Sequence, residues 1–383
     1  MRILHLGKFY PPFSGGMETV LETLCRAEQC SHDSRALVMT KSPRTVHEIV
    51  GNVAVTRVGS LLTIGAVSVA PMLPLWLSRA QADLIVLHEP NPMALVAYYL
   101  ARPRVPLLVW FHSEAIRPRW RYRLFYQPFL EFALRRAVRI VVAAPAMRDV
   151  PALAAHRAKC IVVPYGLDVE RYEASPAVMA RAQALRGGTR VPILLFAGRM
   201  VRYKGLDVLM RALPGLDVET VLVGDGPLRS SLEALATELG IADRVRFVGK
   251  VTDEELLAWY HASDAFVLPS ISRQEAFGIV QLEAMLSELP VVSTDVPTGV
   301  PWVNQHERTG LTVQPGDVAA LRGALARLVC DPDLRQRLGK AARARVLSQF
   351  TADHMCQAIQ AVYQQVRTTE PVTQVAPVHP SSI

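Results

Sequence analysis

Two doubly wound α/β domains in tandem are predicted by three features of the sequence. Short, continuous apolar runs alternate with helical patterns, as in parallel strands buried on both faces. That alternation stops in a polar stretch and then restarts. The length of 383 residues, half of them hydrophobic, suits two domains with sizeable cores.

Ile3–Gly7 reads as the first strand and Gly16–Ala27 as an amphipathic helix. Leu84–His88, Leu107–Phe111, Arg139–Ala143 and Cys160–Val163 read as further strands. Ala180–Arg190 is polar, runs into Gly187-Gly188 and reads as the linker. Beyond it, strands are expected at Ile193–Gly198, Val218–Val223, Val245–Val248, Ala265–Pro269 and Pro290–Ser293. Helices are expected at Gly205–Leu213, Leu228–Leu239, Thr252–His261 and Gly278–Ser287. Thr252 and Glu255 have the spacing of a capping box. A last helix is expected from Thr351 to about Val366, followed by a disordered tail at 367–383. The division is thus 1–180 and 190–350, with helix 351–366 completing the first domain. Two sheets of this kind open a cleft at the carboxyl ends of their strands, where ligands bind.

Five scattered cysteines without a CxxC pair argue against a disulfide framework and fit a reducing compartment. The apolar run at the amino terminus is too short for a signal peptide. The longest apolar stretch, Leu61–Leu77, is broken by Pro71 and Pro74, so no membrane span is expected. A cytosolic chain, or one peripheral on a membrane, is the expectation. The net charge of +8 is uneven: residues 1–186 carry 23 Lys and Arg against 13 Asp and Glu, the remainder 19 against 21. The basic half suits an anionic surface or ligand.

Five segments carry chemistry. In Glu275–Glu283, two carboxylates stand eight residues apart across a strand–loop–helix junction. Phe277, Gly278 and Ile279 would open the helix, with backbone N–H groups suited to a diphosphate. Glu283 can accept hydrogen bonds from vicinal ribose hydroxyls, and Glu275 can reach a sugar. A surface helix with two solvated glutamates fits the same pattern. Gly198–Gly205 follows a strand and precedes a helix; Arg199 and Lys204 there can neutralise a leaving diphosphate. The alternative is an ordinary basic loop. Gly15-Gly16 allows close backbone approach at a helix start, or simply a tight turn, and it is not the GxGxxG dinucleotide fingerprint. His112, at a strand end, either hydrogen-bonds a sugar hydroxyl or is structural. Residues 117–139 interleave seven arginines with aromatics and read either as a surface for anionic headgroups or as a solvated helix packed by its apolar face. Asp331-Pro332-Asp333 imitates a metal motif but reads as an N-cap followed by proline at the first helical position. No metal site is expected.

Taken together, these segments resemble the retaining GT-B glycosyltransferases of family 4 (group 1), over residues 1 to about 366. The resemblance rests on Gly15-Gly16, Pro164–Asp168, Gly198-Arg199 with Lys204-Gly205, Val223–Pro227, Phe247–Lys250 and the Glu-x7-Glu segment. Ala276 stands where the family commonly has glycine. The resemblance implies an α/β GT-B fold, two Rossmann-like domains facing a central cleft, and a nucleotide-sugar donor. It places Arg199 and Lys204 on the diphosphate, Glu283 on the ribose, and Glu275 with Phe277-Gly278 on the sugar and phosphate. It sets Gly249 and Lys250 beside the base, Gly15 and Gly16 over the phosphates and acceptor, and His112 against the transferred sugar. Glu275, His112, Arg199 and Lys204 become the catalytic candidates. Gly198–Gly205 and Pro297–Asn304 look most like bacterial mannosyl- and rhamnosyltransferases of surface-polysaccharide assembly. That implies GDP-mannose as the favoured donor, no metal cofactor, retention of configuration, and a polyprenyl-diphosphate-linked saccharide acceptor met at the inner membrane face through 117–139. A sugar-nucleotide epimerase on the same architecture, an NAD-dependent oxidoreductase and a basic nucleic-acid-binding protein are the rivals. The missing GxGxxG weighs against the second of these, and no nucleic-acid partner is expected.

Overall fold

The computed structural model describes residues 1–13, 15–64, 67–114 and 119–368. The first lobe carries strands β1 (Arg2–Leu6), β2 (Asp33–Met39), β3 (Val46–Val50), β4 (Val53–Val58), β5 (Leu62–Ile64), β6 (Val67–Val69), β7 (Leu84–Glu89), β8 (Leu107–Phe111), β9 (Ala137–Val142) and β10 (Cys160–Val162). Its helices are α1 (Gly16–Glu28), α2 (Leu73–Arg79), α3 (Pro92–Ala101), α4 (Arg119–Phe125) and α5 (Gln127–Arg136). Eight strands form one sheet in the order β10-β9-β8-β7-β1-β2-β4-β3, parallel except for the β3–β4 pair, and β5 and β6 form a separate hairpin. The central strands β7 and β8 are buried along their whole length; β8 is apolar throughout, and β7 is apolar up to His88 and Glu89 at its carboxyl end.

Helix α6 (Pro176–Arg186) leads into the second lobe. Strands β11 (Ile193–Ala197), β12 (Glu219–Val223), β13 (Val245–Gly249), β14 (Ala265–Leu268), β15 (Val291–Thr294) and β16 (Gly310–Val313) form a parallel sheet in the order β13-β12-β11-β14-β15-β16. Helices α7 (Leu206–Ala212), α8 (Arg229–Glu238), α9 (Asp253–Ala262), α10 (Ile279–Leu286), α11 (Val300–Val303), α12 (Val318–Cys330) and α13 (Pro332–Gln349) cover it. The caps follow the sequence: Thr252 accepts from the Glu255 amide, and Asp331 accepts from Leu334 with Pro332 in the first turn. Asp331 is therefore a helix cap.

The chain then returns to the first lobe. Leu167 exchanges backbone hydrogen bonds with Phe350 and Ala352, and α14 (Ala352–Thr368) packs on α1. A Cβ on Gly166 would lie 2.0 Å from the carbonyl oxygen of Thr351, so the two crossing segments meet at a residue without a side chain.

Three expectations need correction. The polar stretch 180–190 is not a linker. Most of it belongs to α6, which Ser175 caps, Pro176 opens and Gly187 closes in a left-handed conformation. Arg181 pairs with Glu255 and Arg186 with Asp264, so α6 belongs to the second lobe, and the crossing lies before it. Strands β2 to β4 were not foreseen, because charged residues interrupt their apolar runs where β3 and β4 close the sheet's edge. The last helix runs to Thr368, past the expected start of the tail; the rest of the tail call, 369–383, lies outside the described residues, as do 115–118 of the basic segment.

In both sheets the strand order reverses at one point, between β1 and β7 in the first and between β11 and β14 in the second. The crevice for a ligand opens at the carboxyl ends of such neighbours. Gly15-Gly16 follows β1, while Gly198–Gly205 follows β11 and Glu275 follows β14.

Candidate functional site

The loops after β11 and β14 are laced together. The Ile271 amide donates to the Tyr203 carbonyl at 2.8 Å. Gly205 has φ +66, and a Cβ there would stand 2.1 Å from the Pro269 oxygen, so only glycine lets the loops close. The short turn Arg202–Lys204 thereby sets Lys204 against the other loop. Its Nζ lies 2.6 Å from Glu275 Oε2, and both side chains are almost fully buried. Burial works against the Lys204 charge, but Glu275 outweighs it and holds the amine above its ordinary range. Ser270 Oγ donates to the same carboxylate oxygen at 2.9 Å, and Thr298 Oγ1 donates to the Glu275 carbonyl at 2.7 Å.

Gly278 opens α10 at φ +71, where a Cβ would also press Leu268 at 2.7 Å. No side chain among the described residues caps this helix, and its first turn holds no acidic residue, which leaves its first amides available to an anion. Opposite, α1 opens at Gly15-Gly16, also without a side-chain cap among the described residues. A Cβ on Gly16 would lie 3.4 Å from Ile279 Cδ1, so the starts of the two helices meet across the cleft. Phe277 is buried beneath this meeting point, its ring 4.8 Å from that of Tyr165 of the first lobe.

One turn into α10, Glu283 accepts the Tyr260 hydroxyl at 2.9 Å and also hydrogen-bonds to Tyr172, at the crossing between lobes. Burial raises this carboxyl above its usual range despite both hydroxyls. Arg199 is exposed at the rim and close enough for its charge to oppose that of Lys204. Gly249 ends the edge strand β13 at the same end of the sheet, its carbonyl accepting from Gly224 at 2.7 Å, and Lys250 beside it is exposed. The structure thus gathers Lys204, Glu275, Gly278, Ile279 and Gly16 at one point. Glu283 lies deeper, and Arg199, Gly249 and Lys250 lie around the rim.

His112 takes a different place from a free sugar contact. It follows β8, is 6% exposed, and has both ring nitrogens engaged, Nε2 with His88 at 2.9 Å and Nδ1 with the Tyr165 hydroxyl at 2.7 Å. Burial pushes it down to about 3, so it is neutral. A hydrogen bond from its ring to a ligand would require giving up one of these partners. Sequence reading also missed Ser270, Thr298, Tyr260 and Tyr172. Ser270, Tyr260 and Tyr172 are single hydroxyls outside the segments read for chemistry, and Thr298, although inside Pro297–Asn304, is not marked by its spacing.

Both halves of the chain match known families. A family model described as glycosyl transferases group 1 matches residues 182–345, and one described as glycosyltransferase family 4 matches residues 14–171. The chain is 35% identical over 359 residues to the D-rhamnosyltransferase WbpZ of Pseudomonas aeruginosa, covering 92% of this chain and 93% of that one. It is 29% identical over 374 residues to the O-antigen chain mannosyltransferase C of Escherichia coli, covering 95% and 98%. Among solved structures, the sucrose-phosphate synthase of Thermosynechococcus elongatus superposes with a TM-score of 0.80 at 22% identity, over 96% of this chain and all of that one, a likeness of fold.

Proposed function

As a member of the family 4 (group 1) glycosyltransferases, the chain is one in which, we propose, a mannosyl or rhamnosyl unit passes from a nucleoside-diphosphate donor to a hydroxyl of a lipid-linked saccharide, with retention of configuration. The observation that carries this reading is the buried Lys204–Glu275 pair beside the uncapped start of α10. As the sugar–phosphate bond breaks, negative charge grows on the leaving diphosphate. Lys204, Arg199 and the α10 amides are the groups placed to stabilise it without reorganising. Glu275 holds Lys204 charged and in position and lies where it can meet the sugar. Glu283, with two tyrosine hydroxyls already on it, is placed to take ribose hydroxyls as well, since a carboxylate has about four acceptor sites. In the retaining, front-face form of the reaction, the departing phosphate takes the acceptor proton.

Mannose and D-rhamnose are favoured because two relatives matching nearly the whole chain carry those names. GDP-mannose is the donor to test first. The basic first lobe and the exposed Leu124 and Phe125 of α4 support an acceptor met at a membrane surface. The test is transfer to a polyprenyl-diphosphate saccharide from GDP-mannose, GDP-D-rhamnose, UDP-glucose and UDP-N-acetylglucosamine, with the anomeric linkage read by NMR. A mannosyl or rhamnosyl product with the donor's configuration is expected. Transfer of glucose alone, or an inverted linkage, would overturn the proposal.

A further inference from the structure

Three strands of the first sheet end in the same way: His5 in β1, His88 in β7 and His112 just after β8. His5 pairs in register with Val86, two residues before His88, and His88 with Trp110, two residues before His112. Residues two apart share a face of a sheet, so the three imidazoles climb one face diagonally towards the cleft. They touch end to end. His5 Nδ1 is 3.1 Å from His88 Nε2, and His88 Nδ1 is 2.9 Å from His112 Nε2. All three are buried, and among the described residues no group of such side chains is arranged to hold a metal ion.

Each end of the row is anchored. At the cleft, His112 Nδ1 meets the Tyr165 hydroxyl, and the Tyr165 ring lies on Phe277 beneath the start of α10. At the far end, His5 Nε2 lies 2.9 Å from Glu28 Oε2. Glu28 is fully buried on α1 and also takes hydrogen bonds from Ser34 Oγ at 2.5 Å and from Tyr363 of α14 at 2.7 Å. Burial opposes its ionisation, but His5 and the two hydroxyls outweigh it and hold the carboxyl below its usual range.

With all three imidazoles neutral the row runs in one sense, whereas an imidazolium at His5 would donate from both nitrogens and run every link the other way. A carboxylate only accepts, so His5 carries its proton on Nε2. A neutral imidazole has one donor and one acceptor nitrogen, so His5 Nδ1 accepts from His88 Nε2, His88 Nδ1 accepts from His112 Nε2, and His112 Nδ1 accepts the Tyr165 proton. In that neutral row, turning any one ring over would set two N–H groups, or two bare nitrogens, against each other in a buried place and leave them unsatisfied. We infer that Glu28 fixes the tautomer of His112 and commits the Tyr165 proton to it, acting through His5 and His88, so that Glu28, His5 and His88 are positioning residues for the donor-facing wall of the cleft. Their consequence for sugar transfer rests on the proposed function; the tautomer chain itself does not.

Imidazole ¹⁵N–¹H correlation spectra of the full-length protein labelled with ¹⁵N-histidine test this without any substrate. The expected wild-type result is Nε2–H with a bare Nδ1 on all three rings, with N–H···N couplings across both links. In Glu28→Gln, whose amide can donate to His5, the His112 ring signals move although residue 28 does not touch that ring. In the same variant kcat falls about tenfold with donor KM within about twofold, the pattern of an interaction felt in the transition state. A wild-type His88 or His112 protonated on Nδ1, or a variant in which His5 moves and His112 does not, overturns the inference. If Glu28→Gln does not fold, the wild-type couplings decide alone. A wild-type chain showing the expected tautomers but transferring no hexose would refute the proposed function and leave the chain of histidines standing.

Discussion

At the residue scale the Lys204–Glu275 pair decides most. Removing one member of a buried ion pair leaves the other uncompensated, at about 3–5 kcal/mol. Lys204→Ala is therefore expected to lower the urea midpoint and also to cut kcat by about 10²–10³, the usual loss for a preorganised charge-stabilising group. The double variant Lys204→Met/Glu275→Gln separates the two effects, since it removes both charges: stability should return close to wild type while transfer stays lost. Recovery of activity with stability would show the pair to be scaffolding. A second residue gives a pH signature. Glu89, buried at the end of β7 with Oε2 accepting from the Asn91 amide and the Tyr126 hydroxyl, is pushed up to about 7 by burial. An unfolded glutamate releases its proton near 4.3. Between these values the folded state binds more protons, so this contribution is fully present below about pH 4 and is lost as pH rises through 7. Glu89→Gln is expected to flatten that slope in urea titrations and to stabilise the protein at pH 8 by up to roughly 4 kcal/mol. An unchanged slope would mean that the carboxyl is ionised in the fold.

At the element scale, what the sequence shows depends on how a structure is made. Most of the buried parallel strands were legible nearly to the residue, because a strand covered on both faces is largely apolar, as at Leu107–Phe111, whereas β2, β16 and the helix after β7 were not read. The edge strand β3 faces solvent and loses that signal, and in β4 beside it Thr56 and Arg57 interrupt the apolar run. Helix α6 was overlooked although Ser175, Pro176 and Gly187 spell its ends, because its apolar stripe of Val178, Ala182 and Leu185 is narrow and set among exposed residues. The Glu-x7-Glu segment was legible as a candidate site because two carboxylates flank a helix start. The row of histidines was not, because His5, His88 and His112 are neighbours only once the register of three strands is known. The start of α10 carries its own expectation. Gly278→Ala would strain a left-handed backbone by about 1–2 kcal/mol and press Leu268. It should weaken nucleoside-diphosphate binding, measured by calorimetry, at least tenfold while the melting temperature drops by only a few degrees. Unaltered binding would place the diphosphate elsewhere.

At the scale of the whole molecule, the charge is divided as the lobes are. The excess of cations lies in residues 1–186, while the half with Glu275 and Glu283 is close to neutral. On the same basic lobe, α4 presents Leu124 and Phe125 at 64% and 67% exposure, beside Arg123. Apolar side chains flanked by arginines suit the boundary between headgroups and acyl chains, where each nearby cation contributes about 1 kcal/mol on an anionic surface. No helix among the described residues is long and apolar enough to cross a membrane, so attachment by this route would be peripheral. Vesicles containing anionic phospholipid should therefore sediment the protein, while neutral vesicles should not, and binding should fall steeply as salt shortens the screening length. Leu124→Ser/Phe125→Ser should reduce vesicle binding at least tenfold with an unchanged melting temperature, because exposed side chains contribute little to the fold. Transfer to a short water-soluble acceptor should survive in that variant while transfer to a membrane-embedded one falls. Equal loss on both acceptors would mean that α4 serves the cleft itself.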